Sequence, residues 1–235
     1  MKTKQLNFED HRRRTSTGPG GYRPGAGRPA RRKGIVHHVR RPGVKNGCPA
    51  HVTLRVRRDV PSLRTRVFVH EFKRSLAQAC ERGAFRVVHY SLQGNHVHLI
   101  VEAAGKRALG SGMKSISARL ARAVNRVFAR KGPVLDGRYH LRVLKTPREV
   151  RNALAYVLLN ARKHWVERRG AAPPARLDEA SSGRWFEGWK KAPRSPTHSP
   201  AREVAGARTW LLSKGWRRYG LVDPEEIPGT ALNRT

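Results

Sequence analysis

Two neighbouring stretches in the middle of the chain change polarity at every second residue, and this pattern restricts them to β-strands. Residues 96–103, HVHLIVEA, place Val97 and Leu99 on one face and two histidines on the other. Residues 85–92, FRVVHYSL, precede them, and a short turn that contains Gly94 separates the two stretches. The pattern predicts a β-hairpin with one buried face and one face that carries imidazoles.

The elements on either side of this hairpin predict the fold class. Residues 51–57 alternate like a strand, 62–82 and 110–131 have apolar residues at helical spacing, and 140–146 form a further strand. A last helix begins in 146–164, where a threonine, a proline and a glutamate form an N-cap with a capping box. This order predicts an α+β, ferredoxin-like (split βαβ) fold. In such a fold an antiparallel sheet has helices on one face and an open second face that can receive a ligand, and here a C-terminal helix follows.

Composition divides the chain into three parts. Residues 1–47 are rich in glycine, proline and arginine and are predicted to be a disordered basic arm. Residues 48–166 contain the predicted elements and form one domain, and 167–235 form a C-terminal extension. The extension contains a linker at 191–200 and a small helical appendage rich in tryptophan and arginine.

Two interpretations of the appendage remain open. Its tryptophans either stack on the bases of a single strand, beside the arginines, or pack on the main domain. The packing interpretation is favoured, and it concerns four residues: Trp210, Leu211, Leu212 and Trp216.

The charge of the chain indicates a polyanionic partner. The sequence has 50 Lys and Arg residues against 16 Asp and Glu residues, and its formal net charge is +34. Nucleic acid fits this charge best, and an anionic membrane surface is a weaker alternative. No apolar segment reaches the length of a membrane span, and the first residues lack the apolar stretch of a signal peptide.

The cysteines indicate a reducing compartment. Cys48 and Cys80 form no CxxC pair, which argues against a disulfide framework, and the protein is predicted to be cytoplasmic and nucleoid-associated. Cys48 and His51 have the spacing of half a zinc site, but a second ligand pair is missing.

Polar residues of the hairpin and of the last helix are candidates for a catalytic site. His96 and His98 lie about 6.6 Å apart along a strand and can converge on one cation, although two exposed polar residues on a half-wet sheet would give the same pattern. Tyr156 and Asn160 lie one helical turn apart and off the apolar stripe, with Lys163 on the same side. Asn160 can supply an amide oxygen as a ligand, and Tyr156 can supply a nucleophile.

Other roles for the tyrosines are also open at this point. Tyr156 can be an amphipathic ring at the edge of the core. Tyr90 and Tyr139 are rival nucleophiles, and packing or base stacking is the alternative role of Tyr139.

Several separated motifs resemble one family. They are NHVHLIV (95–101), RLARAVNR (119–126), GRYH (137–140) and LKTPREVRNALAYVLLNARKH (144–164). In this order they resemble the HUH single-tyrosine transposases of small bacterial insertion sequences, and most closely the branch of REP-associated tyrosine transposases. The resemblance covers about residues 50–165.

The resemblance implies roles for the candidate residues. It implies a divalent metal, Mg²⁺ or Mn²⁺, bound by His96, His98 and Asn160, and a Tyr156 that cleaves single-stranded DNA. Imidazole ligands favour Mn²⁺ as the effective cofactor. Minimal relatives often have glutamine where this chain has the shorter Asn160.

The predicted function is that of a DNA transposase or site-specific single-strand endonuclease. It would cleave and rejoin single-stranded DNA with palindromic or hairpin elements through a covalent 5′-phosphotyrosine. We expect a monomer or homodimer with no membrane partner. Five basic residues are predicted to contact the DNA: Arg119, Arg122, Arg126, Arg138 and Lys163.

The alternative function is a non-catalytic protein that binds single-stranded DNA or RNA on a sheet like that of RNA-recognition modules. Such a protein would expose aromatic residues on its strands. Phe85 and Tyr90 are predicted to lie on opposite faces of their strand, while the next strand carries histidines. Catalysis is therefore the favoured interpretation.

Overall fold

A computed structural model describes residues 47–173, 176–191 and 201–229. All but the last residue of the predicted basic arm, and nearly all of the predicted linker, lie outside the described residues. The sheet has the order β2-β3-β4-β1-β5 with antiparallel pairing, and its strands are β1 (Ala50–Arg55), β2 (Glu81–Arg82), β3 (Phe85–Leu92), β4 (His96–Ala103) and β5 (His140–Val143). The helices are α1 (Arg66–Ala77), α2 (Lys106–Val127), α3 (Pro147–Leu158), α4 (Asn160–Arg169) and α5 (Trp210–Ser213), with 3₁₀ turns at Gly183–Trp185 and Gly215–Tyr219.

This architecture confirms the predicted α+β fold and its antiparallel sheet. Helices α1 and α2 pack together on one face of the sheet and form the first core with the inward aliphatic residues of β1 and β4. Gly112 permits the close approach of α2, because a Cβ atom there would lie 2.1 Å from the Phe85 ring.

The second face of the sheet is partly covered, whereas the sequence predicted an open face. Helix α3 packs over β3 and β4, and its apolar stripe forms a second core with Val88 and Ile100. The stripe has to be buried, and these two side chains give it an apolar surface. The candidate site lies on the same face, where polar side chains replace the aliphatic ones.

A β-bulge in β3 changes which side chains share a face. The register passes from Val87 opposite Val101 to His89 opposite Ile100, so Val88 is the extra residue. Phe85 and Tyr90 therefore both face the first core, and the prediction that they lie on opposite faces was wrong.

The last predicted helix is present, but it bends. Its start confirms the capping box, because Thr146 Oγ1 accepts the Glu149 N–H while the Glu149 carboxylate accepts the Thr146 N–H. At Leu159 the backbone leaves the helical region (φ −107°, ψ 13°), and α4 begins at Asn160. The Lys163 N–H still donates to Leu159 O across this bend.

The C-terminal extension packs along the edge of β3. The Ser182 N–H donates to Tyr90 O, and the Ala205 N–H donates to Val87 O. These bonds satisfy edge groups that would otherwise be open to another strand.

The appendage packs largely as favoured from the sequence. Leu211, Leu212 and Trp216 are buried in the second core. Trp210 differs, since 50% of its surface is exposed and the Arg218 guanidinium lies 4.9 Å from its ring centroid. In the part of the chain that the structure describes, no helix is both long and apolar enough to cross a membrane.

Candidate active site

Strand β4 carries two histidines on the face that α3 covers. His96 and His98 alternate with Val97 and Leu99, which are buried in the first core on the opposite face. The Nε2 atoms of the two imidazoles lie 3.0 Å apart. The alternation of the strand thus brings two ring nitrogens to one point.

The other ring nitrogens of this pair have partners. His96 Nδ1 lies 2.7 Å from Asn95 Oδ1 and donates to it. His98 Nδ1 lies 3.1 Å from His51 Nε2 and 3.1 Å from Thr53 Oγ1. An imidazole that donates through Nδ1 keeps its lone pair on Nε2. Two such lone pairs 3.0 Å apart repel each other unless a proton or a cation lies between them.

The imidazoles of this cluster are neutral at pH 7. Burial is the main cause, and it lowers the pKa of His51 and of His96 to about 4 and that of His98 to about 2. Nearby imidazoles and cations contribute further, among them Arg142 beside His51 and Arg55 beside His96. Neutral imidazoles are the form that binds metal ions.

Tyr156 lies against the same cluster. Its ring centroid is 5.3 Å from that of His98 and 5.8 Å from that of His51, edge-on in both cases. Lys163 Nζ lies 5.3 Å from the centroid of the phenol ring. The phenolic oxygen of a tyrosine can act as a nucleophile.

Asn160 is the least satisfied polar residue of the site. Its side chain is fully buried, and neither Oδ1 nor Nδ2 has a hydrogen-bond partner among the described residues. It follows Tyr156 by one helical turn, at the bend between α3 and α4. A buried amide without a partner lowers the stability of the folded protein. This is expected of a group that gains its hydrogen-bond or ligand partner only when a ligand is bound.

The candidate ligands for a divalent cation in this site are histidines and an asparagine, and no carboxylate is among them. Within residues 47–173, 176–191 and 201–229, no group of three or more His, Cys, Asp or Glu side chains could hold a metal. The imidazoles of His96 and His98 and the partnerless Asn160 oxygen are the candidate donors for such a cation. Nitrogen ligands of this kind suit Mn²⁺ better than Mg²⁺.

The residues predicted to contact DNA do not lie together. Arg119, Arg122 and Arg126 line a groove of about 90 Å³ between α1 and α2, on the far side of the sheet from the histidines. Arg126 is paired there with Glu71. Only Lys163 of the five lies beside Tyr156 among the described contacts.

The rival tyrosines lie away from the histidine pair. Tyr90 is fully buried in the first core, and its hydroxyl donates to Glu203 Oε1 at 2.8 Å. Burial and the Glu203 carboxylate raise the pKa of Tyr90. Tyr139 packs against the same core. Neither residue shares the face of the sheet on which His96 and His98 lie.

Several residues of the site were not predicted from the sequence. His51 and Thr53 lie on β1, where they alternate with the buried Val52 and Leu54 and so share the face of the histidine pair. The signal for them was the alternation itself, because in a ferredoxin-like sheet the first strand is the neighbour of β4. The sequence instead related His51 to Cys48, which packs against the second core.

A comparison with family models finds one that includes the histidine-bearing strand. Residues 44–145 match the family model of IS200-like transposases, and this part of the chain is therefore similar to that family. This match agrees with the resemblance found in the motifs of the chain. The match includes His96 and His98 and ends before Tyr156 and Asn160.

The solved structures to which the chain is similar are distant in sequence. A REP-associated tyrosine transposase bound to a REP hairpin is 18% identical, with a TM-score of 0.44 over 56% of this chain and 77% of that chain. A protein of Deinococcus radiodurans R1 assigned as a transposase is 14% identical, with a TM-score of 0.35 over 49% and 86%. A bacterial tRNA(His) guanylyltransferase-like protein in complex with ATP is 10% identical, with a TM-score of 0.38 over 54% and 63%. No curated protein matches the chain.

Proposed function

We propose that this protein cleaves and rejoins single-stranded DNA through a covalent bond between Tyr156 and a 5′-phosphate. The observation that carries the proposal is the position of the Tyr156 ring, 5.3 Å from that of His98, at the one place where two imidazole Nε2 atoms converge among the described residues. A nucleophile and a pair of metal-type ligands on one face of the sheet are what phosphodiester transfer needs.

The chain's own groups have separate tasks in this reaction. Tyr156 Oη attacks the phosphorus, the bond from phosphorus to the 3′-oxygen breaks, and the phenolic proton passes to the site or to solvent while the leaving 3′-oxygen takes up a proton. Lys163 lies beside the phenol ring, where its ammonium group can contact the phosphate of the bound DNA. One phosphodiester replaces another, so a second 3′-hydroxyl can reverse the step without ATP.

His96, His98 and Asn160 would hold a divalent cation in this site. The cation would polarise the phosphodiester and stabilise negative charge on its oxygens. The neutral imidazoles and the partnerless amide oxygen support this assignment from the chain's side. Mn²⁺ and Mg²⁺ are both proposed, with Mn²⁺ the better match to imidazole ligands.

The proposed substrate is a DNA hairpin with single-stranded flanks. The net charge of +34 supports a polyanionic partner. Hairpin recognition is proposed by extension from the family resemblance and from the REP hairpin named for the relative of known structure.

The first prediction tests the nucleophile. The protein is incubated with Mn²⁺ and a hairpin flanked by randomised single-stranded arms, labelled at either the 3′ or the 5′ end. We expect the 3′ label to migrate with the protein on a denaturing gel and the 5′ label to be released with a free 3′-hydroxyl. Tyr156→Phe should abolish the adduct and keep DNA affinity, since only one oxygen is removed.

The matched control is Tyr139→Phe, which also removes one phenolic oxygen but from a ring that packs against the first core. It should form the adduct at the parent rate. An adduct that persists in Tyr156→Phe and maps to another tyrosine would contradict the residue assignment. DNA binding with no adduct, with either metal, would favour the non-catalytic binding protein.

A further inference from the structure

Strand β1 contributes two side chains to the rear of the histidine pair. In the antiparallel register Thr53 lies opposite His98, and His51 lies opposite Ile100. Thr53 Oγ1 and His51 Nε2 are each 3.1 Å from His98 Nδ1. The same nitrogen of His98 therefore has two possible acceptors, while its other nitrogen faces His96.

The two nitrogens of a neutral imidazole share one proton, so a bond at one nitrogen decides the state of the other. When His98 donates through Nδ1 to His51 or Thr53, its Nε2 carries a lone pair. When His51 or Thr53 donates to Nδ1 instead, the proton moves to His98 Nε2 and points at His96 Nε2, 3.0 Å away. Only the first arrangement leaves both Nε2 atoms able to bind a cation.

We propose that His51 and Thr53 are positioning residues that accept a hydrogen bond from the Nδ1–H group of His98. They would so fix the tautomer and the orientation in which His98 Nε2 faces the metal. The inference rests on the proposed metal site and adds to it a pair of residues that touch neither metal nor DNA. Asn95 has the corresponding contact with His96, through a side-chain oxygen 2.7 Å from Nδ1. Each imidazole of the pair thus has an acceptor behind it.

A direct ligand role for His51 does not fit the geometry. Its Nε2 meets His98 at Nδ1, the nitrogen on the opposite side of the ring from the one that faces His96. A cation between the two Nε2 atoms of His96 and His98 would have the His98 ring between itself and His51 Nε2.

The test uses three variants that lose an acceptor: His51→Phe, Thr53→Val and the double variant with both changes. They are compared with His51→Gln, whose side-chain carbonyl can still accept a hydrogen bond. Binding of Mn²⁺ to the DNA-free full-length chain is measured by titration calorimetry. Loss of such supporting bonds weakens metal binding about 10- to 100-fold. We expect this loss in His51→Phe and a larger one in the double variant, while His51→Gln retains most of the affinity. His70→Gln, an exposed histidine on α1, is the control and should bind as the parent does.

The second measurement reads the tautomer directly. Long-range ¹H–¹⁵N NMR of the imidazoles in the metal-free protein should show His98 protonated at Nδ1 in the parent chain. The protonated fraction at Nδ1 should fall in Thr53→Val and in every folded variant that lacks an acceptor. If His51→Phe does not fold, Thr53→Val and the parent spectrum decide the matter.

The outcomes separate the inference from the proposed function. Parent-like Mn²⁺ affinity in the folded double variant, or a metal-free parent His98 protonated only at Nε2, would overturn the positioning role and leave the metal site standing. No Mn²⁺ binding by the parent chain would overturn the metal site and the positioning role together. Weakened binding with rescue by His51→Gln supports both.

Discussion

At the scale of single residues, Asn160 is the position where folding and the proposed reaction make opposite demands. Its amide is fully buried, and both polar atoms lack a partner among the described residues. Leaving a buried polar group unpaired costs about 1–3 kcal/mol. Such a cost is commonly kept where a site needs the group for something other than stability.

The second prediction follows from this cost. Asn160→Leu should raise the free energy of unfolding of the metal-free protein by about 1 kcal/mol, because the unpaired amide is replaced by an apolar side chain. The same change should abolish the stabilisation by Mn²⁺ and the cleavage of DNA. Thermal denaturation with EDTA and with MnCl₂ measures both effects.

Asn152→Leu is the control for this prediction, because Asn152 is exposed on α3. It should change the free energy of unfolding by less than about 0.5 kcal/mol and keep the response to Mn²⁺. A lower melting temperature for metal-free Asn160→Leu would show that the amide is already satisfied and would remove the main reason to regard it as a ligand.

At the scale of strands and helices, the faces of the sheet separate two sets of cations. Arg55 ends β1 opposite His96 and is exposed on the histidine side. Arg122 is exposed on α2, on the other side of the sheet. If DNA binds at Tyr156 as proposed, the strand would pass Arg55, and it would reach Arg122 on α2 only by passing around the sheet.

The third prediction compares these two arginines. Arg55→Ala should weaken binding of single-stranded DNA and lower the slope of log affinity against log salt by about 0.7, the value for one lost phosphate contact. Arg122→Ala should leave the rate of adduct formation unchanged. Filter binding between low and moderate salt gives the slopes, and equal losses in the two variants would favour the sequence-based prediction that α2 contacts DNA.

Local pattern was sufficient to predict the elements and insufficient to predict their neighbours. Alternation gave the bounds of β3 and β4 as observed, since period-two polarity is a property of one stretch of chain. The bulge at Val88 depends on pairing with β4, so the common face of Phe85 and Tyr90 was missed. The contact of His51 with His98 joins residues on different strands and needed the register as well as the pattern.

At the scale of the whole molecule, the C-terminal extension is part of the folded structure that carries the site. Trp216 is 2% exposed and lies in the second core, which also contains the apolar stripe of the helix that bears Tyr156. The Arg151 guanidinium on the same helix pairs with Glu226, with a 2.6 Å contact. The family match ends at residue 145, so the extension lies beyond the matched residues.

The fourth prediction concerns this packing. Trp216→Ala should lower the free energy of unfolding by about 3–5 kcal/mol, as expected for loss of a buried aromatic side chain. Trp210→Ala, at a half-exposed tryptophan of the same appendage, is the control and should cost far less. Chemical denaturation measures both, and similar small losses would show that the extension does not stabilise the domain.

The groups of the proposed site all come from one copy of the chain, on strands β1 and β4 and on helices α3 and α4, which meet at the bend at Leu159. The imidazoles, the phenol and the ammonium of Lys163 lie together within a single copy. In the language of mass action, the proposed site forms without an encounter between copies, so strand cleavage should scale with the number of molecules and not with its square.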